Sequence, residues 1–356
     1  MPGTWPGPRS TSPLMRRATS LAPRSSSTAA SLSGSDRDHM PSPVCPGLAA
    51  VFDQIKESGA ELPDPADVGV KEARAARARY YEFLNQPDGV LPVDDVQDVT
   101  IDGPHGPFLL RIYFPTDERP APVTVFIHGG GWWTGDVAAY DQICRRLAVE
   151  SGCAVASVDY RLWPEHRFPV PVDETMAVAE WVLGQGADHG LDRSRIAFCG
   201  DSAGATLALY AGVQLKDTGT VRALALVYGV YLLDVDTPSW REIGDGAYGL
   251  TVAQMRWIWD GYLEGHNADP TDPRIAPAHG DLAGLPYTWV MVGDLDPLID
   301  DSRALVDNLA TAGVPHQLKI EEGMTHFIWM WQRLYQRSRA SIAEAGAILK
   351  RELRRD

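Results

Sequence analysis

The chain has 356 residues, of which 44% are apolar and 22% are charged. This balance is ordinary for a globular protein and excludes a disordered, collagenous or coiled-coil chain. Asp and Glu number 47 against 32 Lys and Arg, so the formal net charge is −15, and a field of that sign repels nucleic acid and anionic membrane surfaces. The sequence contains no run of about 18 apolar residues, so it predicts no membrane span.

Residues 1–40 differ in composition from the rest of the chain. They hold five Arg against two Asp and are rich in Ser, Thr, Pro and Gly, so they cannot bury enough apolar surface to offset the entropy lost on ordering. We expect a disordered or non-native N-terminal extension, first of all one that precedes a true start at Met40. A cloning remnant, a plain disordered tail and an Arg- and Ser-rich transit peptide are the other interpretations; the apolar core of a secretory signal is missing.

Residues 41–90 have a helical apolar pattern and are expected to form N-terminal cap helices. Two β-branched runs follow at 96–101 and 108–114, and the glycine-rich turn between them predicts an antiparallel pair. Buried strands then alternate with helices. The predicted strands are 123–127, 154–158, 195–199, 223–228, 288–292 and 316–320, and the predicted helices are 140–150, 173–184, 205–216 and 301–312.

This alternation predicts an α/β protein, with a mostly parallel eight-stranded sheet flanked by helices on both faces. We expect one main domain over residues 91–335 and a C-terminal helix over 336–356. Residues 234–275 interrupt the alternation with aromatic side chains at partly helical spacing, which usually indicates core packing. We expect this segment to be an insertion that packs with the N-terminal helices as a cap over the carboxyl edge of the sheet.

The four cysteines form no Cys-x-x-Cys pair, and no histidine stands at metal-ligand spacing beside them. We therefore expect neither a metal site nor a disulfide framework. Three of them lie in apolar stretches and are predicted to be small buried residues: Cys144, Cys153 and Cys199. A reducing, cytoplasmic compartment fits this pattern.

The pentapeptide Gly200 to Gly204 has the pattern G-x-S-x-G and lies between a predicted strand and a predicted helix. In such an elbow the serine, here Ser202, stands exposed on a tight, strained turn. The flanking glycines let the neighbouring backbone pass, and the helix directs its free N–H groups towards the hydroxyl. A glycine-rich turn with a chance serine is the alternative, and the strand-turn-helix context favours a nucleophile.

A second motif, His128-Gly129-Gly130-Gly131-Trp132-Trp133, directly follows the predicted strand 123–127. Consecutive glycines leave bare backbone N–H groups that can approach a ligand, as an oxyanion hole requires. A phosphate cradle is the rival interpretation, but no Lys-Ser or Lys-Thr pair follows the glycines as it does in a P-loop.

A serine hydroxyl is a weak nucleophile, so it needs a general base and a third group that orients the base. His326 lies in a loop just past the last predicted strand, whereas His316 begins that strand and is expected to be structural. Four acids crowd the end of the strand 288–292: Asp294, Asp296, Asp300 and Asp301. By chemistry alone, the choice between Asp294 and Asp296 stays open.

These motifs resemble the hormone-sensitive-lipase-like family of bacterial esterases, which has the α/β-hydrolase fold. The similarity covers most of residues 90–335 and includes a further stretch, Asp159 to Pro169, close to the family's Tyr-Arg-Leu-Ala-Pro-Glu pattern. Four ordered motifs are far more specific than any one of them. The chain departs from the family at Phe327, where Gly is often found, at Trp163, where Ala is frequent, and at Trp133, which doubles an aromatic position.

The resemblance implies catalytic roles for three side chains, with Ser202 as nucleophile, His326 as base and Asp296 as its acidic partner. It implies an oxyanion hole formed by three backbone N–H groups, those of Gly130, Gly131 and Ala203. Three further side chains are implied to hold their loops in shape: His128, Asp201 and Glu165. The implied cap agrees with the two helical segments described above, and no metal or organic cofactor is needed.

We therefore expect a serine carboxylesterase that acts on a small or aromatic ester with a short acyl group. Four aromatic side chains are expected to crowd its pocket: Trp132, Trp133, Phe327 and Trp257. An amidase or carbamate hydrolase with the same triad is the first alternative, and a non-catalytic ligand-binding protein, against which the intact His326 argues, is the second. The acidity of the chain favours an uncharged small-molecule ester as partner, and the sequence leaves a homodimer open.

Overall fold

The computed structural model describes residues 44–86 and 90–355. The predicted extension over 1–40 lies outside the described residues. The strands are β1 (Asp95–Gly103), β2 (Gly106–Phe114), β3 (Ala121–Ile127), β4 (Ala154–Val158), β5 (Leu191–Asp201), β6 (Val221–Val227), β7 (Tyr287–Gly293) and β8 (His316–Glu321). They form one eight-stranded sheet in the order β1-β2-β4-β3-β5-β6-β7-β8. The pairs β1–β2 and β2–β4 are antiparallel and the others are parallel, which confirms the predicted fold class.

Helices connect most of the parallel strands, as crossover connections require. The α-helices are α1 (Pro46–Glu57), α2 (Pro65–Val68), α3 (Val70–Leu84), α4 (Asp141–Ser151), α5 (Val170–Gln185), α6 (Ala203–Leu215), α7 (Pro238–Ile243), α8 (Val252–Tyr262), α9 (Ile299–Thr311) and α10 (Gln336–Leu353). Among the described residues, no helix combines the length and the apolarity needed to cross a bilayer.

The central strands are buried on both faces because successive side chains point to opposite sides of a strand. In β3, Val125 and Ile127 join a core that also contains Leu207 of α6, while Phe126 joins a second core with Leu147 of α4. Such continuous β-branched and aromatic runs therefore belong to a sheet covered on both faces. The three cysteines predicted to be buried, Cys144, Cys153 and Cys199, are buried.

The predicted element boundaries differ from the structure mainly where polar residues or prolines interrupt the apolar pattern. β5 begins at Leu191, four residues before its predicted start, because its polar first half still pairs with β3 at Ala121. α5 begins at Val170 rather than 173, since the first turn of a helix tolerates a proline such as Pro171.

The two segments predicted to form the cap, residues 41–90 and 234–275, are partly helical in the described residues and approach one another. Gln254 of α8 donates a hydrogen bond from Nε2 to Oδ2 of Asp64, just before α2 (3.3 Å). Both segments contribute side chains to one cavity, which also contains Ser202. This places residues of α1–α3 and α8 in the wall of the cavity at the elbow; the action of these segments as a cap stays a prediction.

Candidate active site

The elbow forms where β5 ends at Asp201 and α6 begins at Ala203. Between them Ser202 has φ 50° and ψ −123°, a strained conformation that costs on the order of 1–3 kcal/mol. Its N–H donates to the carbonyl of Val227 in the neighbouring strand (2.8 Å). A Cβ on Gly204 would lie 2.0 Å from the carbonyl oxygen of Ile127, so only glycine lets the helix approach β3 this closely.

A chain of hydrogen bonds joins Ser202, His326 and Asp296, which come from three separate loops. Nε2 of His326 lies 2.9 Å from Oγ of Ser202, and its Nδ1 lies 2.6 Å from Oδ2 of Asp296. The other carboxylate oxygen of Asp296 accepts the N–H of Leu298 (3.0 Å), so the acid is held in place from behind. The serine is 7% exposed, the histidine 2% and the aspartate 0%. The arrangement can remove a proton from the hydroxyl and stabilise the resulting imidazolium.

The neighbouring acids have different partners, which separates the two candidates that chemistry left open. Oδ1 of Asp294 accepts the N–H of Gly323 (2.7 Å) and of Met324 (3.3 Å), so this acid anchors the loop that carries His326. Asp301 accepts two backbone N–H groups of the segment after β6, those of Tyr231 and Leu232. His316 contacts the carbonyl of Val314 through Nδ1 (2.8 Å), which is the structural role expected of it.

The glycine loop after β3 faces the elbow. Gly130 and Gly131 have φ values of +110° and +60°, which L side chains rarely adopt, and both line the cavity that contains Ser202. Within the described residues, their N–H groups and that of Ala203 donate to no protein acceptor. These three groups are therefore available to an oxygen atom bound beside the serine hydroxyl.

Asp201 joins the glycine loop to the elbow from inside the protein. Its Oδ1 accepts the N–H of Gly129 (2.7 Å), and its Oδ2 accepts the hydroxyls of Tyr140 (3.2 Å) and Tyr228 (3.3 Å). Desolvation dominates over these donors and raises the pKa of Asp201 to about 6. His128 stacks on Tyr160, with ring centroids 4.2 Å apart, so both side chains brace the loop without facing the cavity.

The raised pKa of Asp201 makes stability depend on pH with a definite sign. Between about pH 4 and pH 6 the folded state keeps a proton that the unfolded state has released, so this group's contribution to stability falls as pH rises. Asp201→Asn keeps an acceptor for Gly129 and removes the titration. We expect the free energy of unfolding of the variant, relative to wild type, to rise by roughly 3 kcal/mol across that window, measured by urea unfolding at several pH values. A constant difference from pH 4 to pH 7 would contradict this assignment.

Arg74 was not among the predicted site residues, yet it joins α3 to the loops that carry Trp133 and Glu165. Its Nε donates to the carbonyl of Trp133 (2.7 Å), and its guanidinium binds Glu165 (2.8 and 2.9 Å) and the carbonyl of Trp163. Glu165 thus has the structural role implied for it. The partners are 59 to 91 residues away along the chain, so no local pattern around Arg74 indicates the contact.

The cavity at the elbow has a volume of about 450 Å³. Three of the four aromatic side chains expected in the pocket line it: Trp132, Trp133 and Phe327. The prediction for Trp257 is wrong: its ring packs against Trp133 and Trp163, with centroids 5.4 and 4.8 Å away, outside the lining of the cavity. The helical spacing that placed Trp257 on α8 could not indicate which way its ring points.

Phe327, where the sequence departs from the family pattern, has φ +68°. Its ring meets the His326 imidazole edge-on (centroids 4.3 Å apart), and Tyr228 contacts the same imidazole (4.7 Å). His326 is therefore in contact with two aromatic rings as well as with Asp296. Among residues 44–86 and 90–355, no group of three or more His, Cys, Asp or Glu side chains could hold a metal ion.

Comparison with known proteins identifies the family. A family model described as α/β-hydrolase fold matches residues 124–330. Esterase LipI of Mycobacterium tuberculosis (strain ATCC 25618 / H37Rv) is 37% identical over 260 residues, which are 71% of this chain and 80% of that protein. The solved structure of a Pyrobaculum calidifontis esterase has a TM-score of 0.78 and 32% identity, covering 87% of this chain and 99% of that one. A thermostable esterase from Pseudomonas putida ECU1011 has a TM-score of 0.80 and 28% identity, covering 88% and 99%. The chain belongs to the hormone-sensitive-lipase-like family of esterases, within the α/β-hydrolase fold.

Proposed function

We propose that this protein is a serine carboxylesterase in which Ser202 attacks the ester carbonyl. The observation that carries the proposal is the continuous hydrogen-bonded chain from Ser202 through His326 to Asp296 beside a cavity. A catalytic serine needs both a base within hydrogen-bond reach and a group that orients that base. The names of the relatives support the same class of reaction.

The reaction proceeds through two acyl transfers. Nε2 of His326 takes the proton from Oγ of Ser202 as the serine oxygen bonds to the carbonyl carbon, and Asp296 stabilises the imidazolium. The negative charge on the carbonyl oxygen is met by the N–H groups of Gly130, Gly131 and Ala203; one such donor is worth about 3 kcal/mol in related enzymes. The C–O bond to the alcohol then breaks and His326 returns the proton to the leaving oxygen. A water molecule, deprotonated by the same histidine, releases the acid.

The shape of the cavity supports a small or aromatic ester with a short acyl group. Its walls near the elbow carry large rings, those of Trp132, Trp133, Phe327 and Trp331, and its volume of about 450 Å³ is near the lower end of ligand pockets. A long acyl chain would need to displace these aromatic rings, whereas an acetyl or aromatic group would contact them directly.

A panel of p-nitrophenyl esters with increasing acyl length tests this proposal. We expect kcat/KM to be highest for acyl chains of about two to six carbons and to fall at least tenfold for chains of twelve or more, because each extra methylene must fit between fixed rings. Absence of hydrolysis across the panel would contradict the esterase itself. Efficient hydrolysis of the esters with twelve or more acyl carbons would contradict only the acyl preference.

The same panel separates an amidase from an esterase when it includes p-nitroacetanilide beside p-nitrophenyl acetate. These two substrates have the same acyl group and the same aromatic ring and differ in the leaving atom. We expect the ester to be the better substrate by several orders of magnitude in kcat/KM, because its leaving oxygen needs less help from His326 than an anilide nitrogen does.

A further inference from the structure

Arg77 of α3 is a basic side chain in the wall of the cavity that contains Ser202 and His326. It is half-buried, and its Nε is fully buried without a hydrogen-bond partner in the described part of the chain. Arg74, one turn earlier on the same helix, by contrast pairs with Glu165. Burying a polar donor without a partner is unfavourable, so the Nε of Arg77 can gain from an acceptor bound in this cavity.

Two aromatic rings hold the guanidinium without neutralising it. Its carbon lies 5.5 Å from the ring centroid of Phe327 and 5.6 Å from that of Tyr80, which are distances for cation–π attraction. The same Phe327 ring also contacts the imidazole of His326. One aromatic ring therefore contacts both the cation and the proposed catalytic base, and its residue has a left-handed backbone conformation.

The charges around the cavity leave Arg77 uncompensated. Among the described residues that line it, Glu61 is the one carboxylate; it is exposed and makes no ion pair with Arg77 within 4 Å. Asp296 lies behind His326, buried and already bonded. The chain has a net charge of −15, yet this cation in the wall of the cavity that contains Ser202 is paired with no carboxylate among the described residues. It therefore provides a local site for an anion, despite the repulsion of the whole chain.

We propose that Arg77 binds a carboxylate on the substrate, so that the substrate class is an ester bearing a carboxylate a few bonds from the scissile ester group. This proposal rests on the esterase reaction at Ser202 and specifies its substrate. A guanidinium binds a carboxylate through two parallel N–H···O bonds, and the apolar ring of Phe327 would contact the carbon atoms between the two ends. The proposed anionic ester replaces the uncharged ester that the net charge led us to expect. A contact between the partly buried Arg77 and a carboxylate acts at shorter range than the field of the surface charges.

Matched pairs of anionic and neutral esters test this proposal. 4-Acetoxybenzoate and 4-acetoxybenzamide place the charge on the alcohol side, and monophenyl succinate and its monoamide place it on the acyl side. The measured quantity is the ratio of kcat/KM for the anionic ester to that for its neutral partner. We expect a ratio above one for at least one pair, falling tenfold or more in Arg77→Met and less in Arg77→Lys, which keeps the charge but not the bidentate geometry.

Arg79→Met is the matched control, because Arg79 lies on the same helix, is exposed and does not line this cavity. It removes the same charge from the chain and should leave both ratios unchanged. Ratios that stay within twofold of wild type in Arg77→Met, for both pairs, would overturn the proposal. If Arg77→Met does not fold, competitive inhibition of the wild type decides: benzoate should bind more tightly than benzamide, and equal binding would overturn it. A wild type that hydrolyses neither the anionic nor the neutral esters would instead contradict the esterase reaction itself.

Discussion

Ser202→Ala is expected to lower kcat on p-nitrophenyl acetate by about five orders of magnitude or more, as loss of the nucleophile does in related triads. His326→Ala should lower kcat by a similar factor, because the Ser202 hydroxyl, which lies 2.9 Å from Nε2 in the wild type, then has no base. The double variant should be no slower than the slower single variant, since the two side chains act as one unit. Steady-state kinetics on the three purified variants measure this directly.

Ser302→Ala is a suitable control for that experiment. Ser302 lies on α9 and is as deeply buried, and its hydroxyl has no hydrogen-bond partner among the described residues. It should retain wild-type kcat. Retention of kcat within tenfold by Ser202→Ala, in a variant that unfolds at the wild-type temperature, would mean that another group is the nucleophile.

Asp296→Asn is expected to lower kcat by about four orders of magnitude at neutral pH. The asparagine amide does not keep the proton on Nδ1 of His326 as the carboxylate does. The imidazole is then held in the wrong tautomer, as in the equivalent change in other triads. Substrate binding should change much less than kcat, because Asp296 does not line the cavity. The pH profile of kcat on p-nitrophenyl acetate would show whether the loss of kcat arises from a change in the protonation of His326.

Asp294→Asn separates the two acids between which chemistry alone left the choice open. The amide oxygen of the variant can still accept the N–H groups of Gly323 and Met324, so we expect a loss of kcat of less than tenfold. Equal losses at positions 294 and 296 would show that both acids act on the loop that carries His326 rather than one of them on the imidazole.

The fold was accessible from the sequence because its signals are local. Period-two and period-3.6 apolar patterns report the two faces of each element, and the order of strands and helices restricts the topology to few arrangements. The boundaries that shifted, at Leu191 and Val170, lie where pairing with a distant strand or a tolerated proline outweighs the local pattern. The elbow at Ser202 was accessible for the same reason, since its strain and its glycines are contained in five consecutive residues.

The sequence by itself determined the class of fold, the elbow at Ser202 and the glycine loop, because each depends on neighbours within a few residues. The tertiary structure alone shows the hydrogen bond between His326 and Asp296, which the family resemblance had only implied, leaves Trp257 outside the lining of the cavity and brings Arg74 and Arg77 to the site. Each of these depends on the direction of a side chain relative to groups 30 to 250 residues away. Hydrogen-bond geometry and burial, which decide such directions, exist only once the chain has closed on itself.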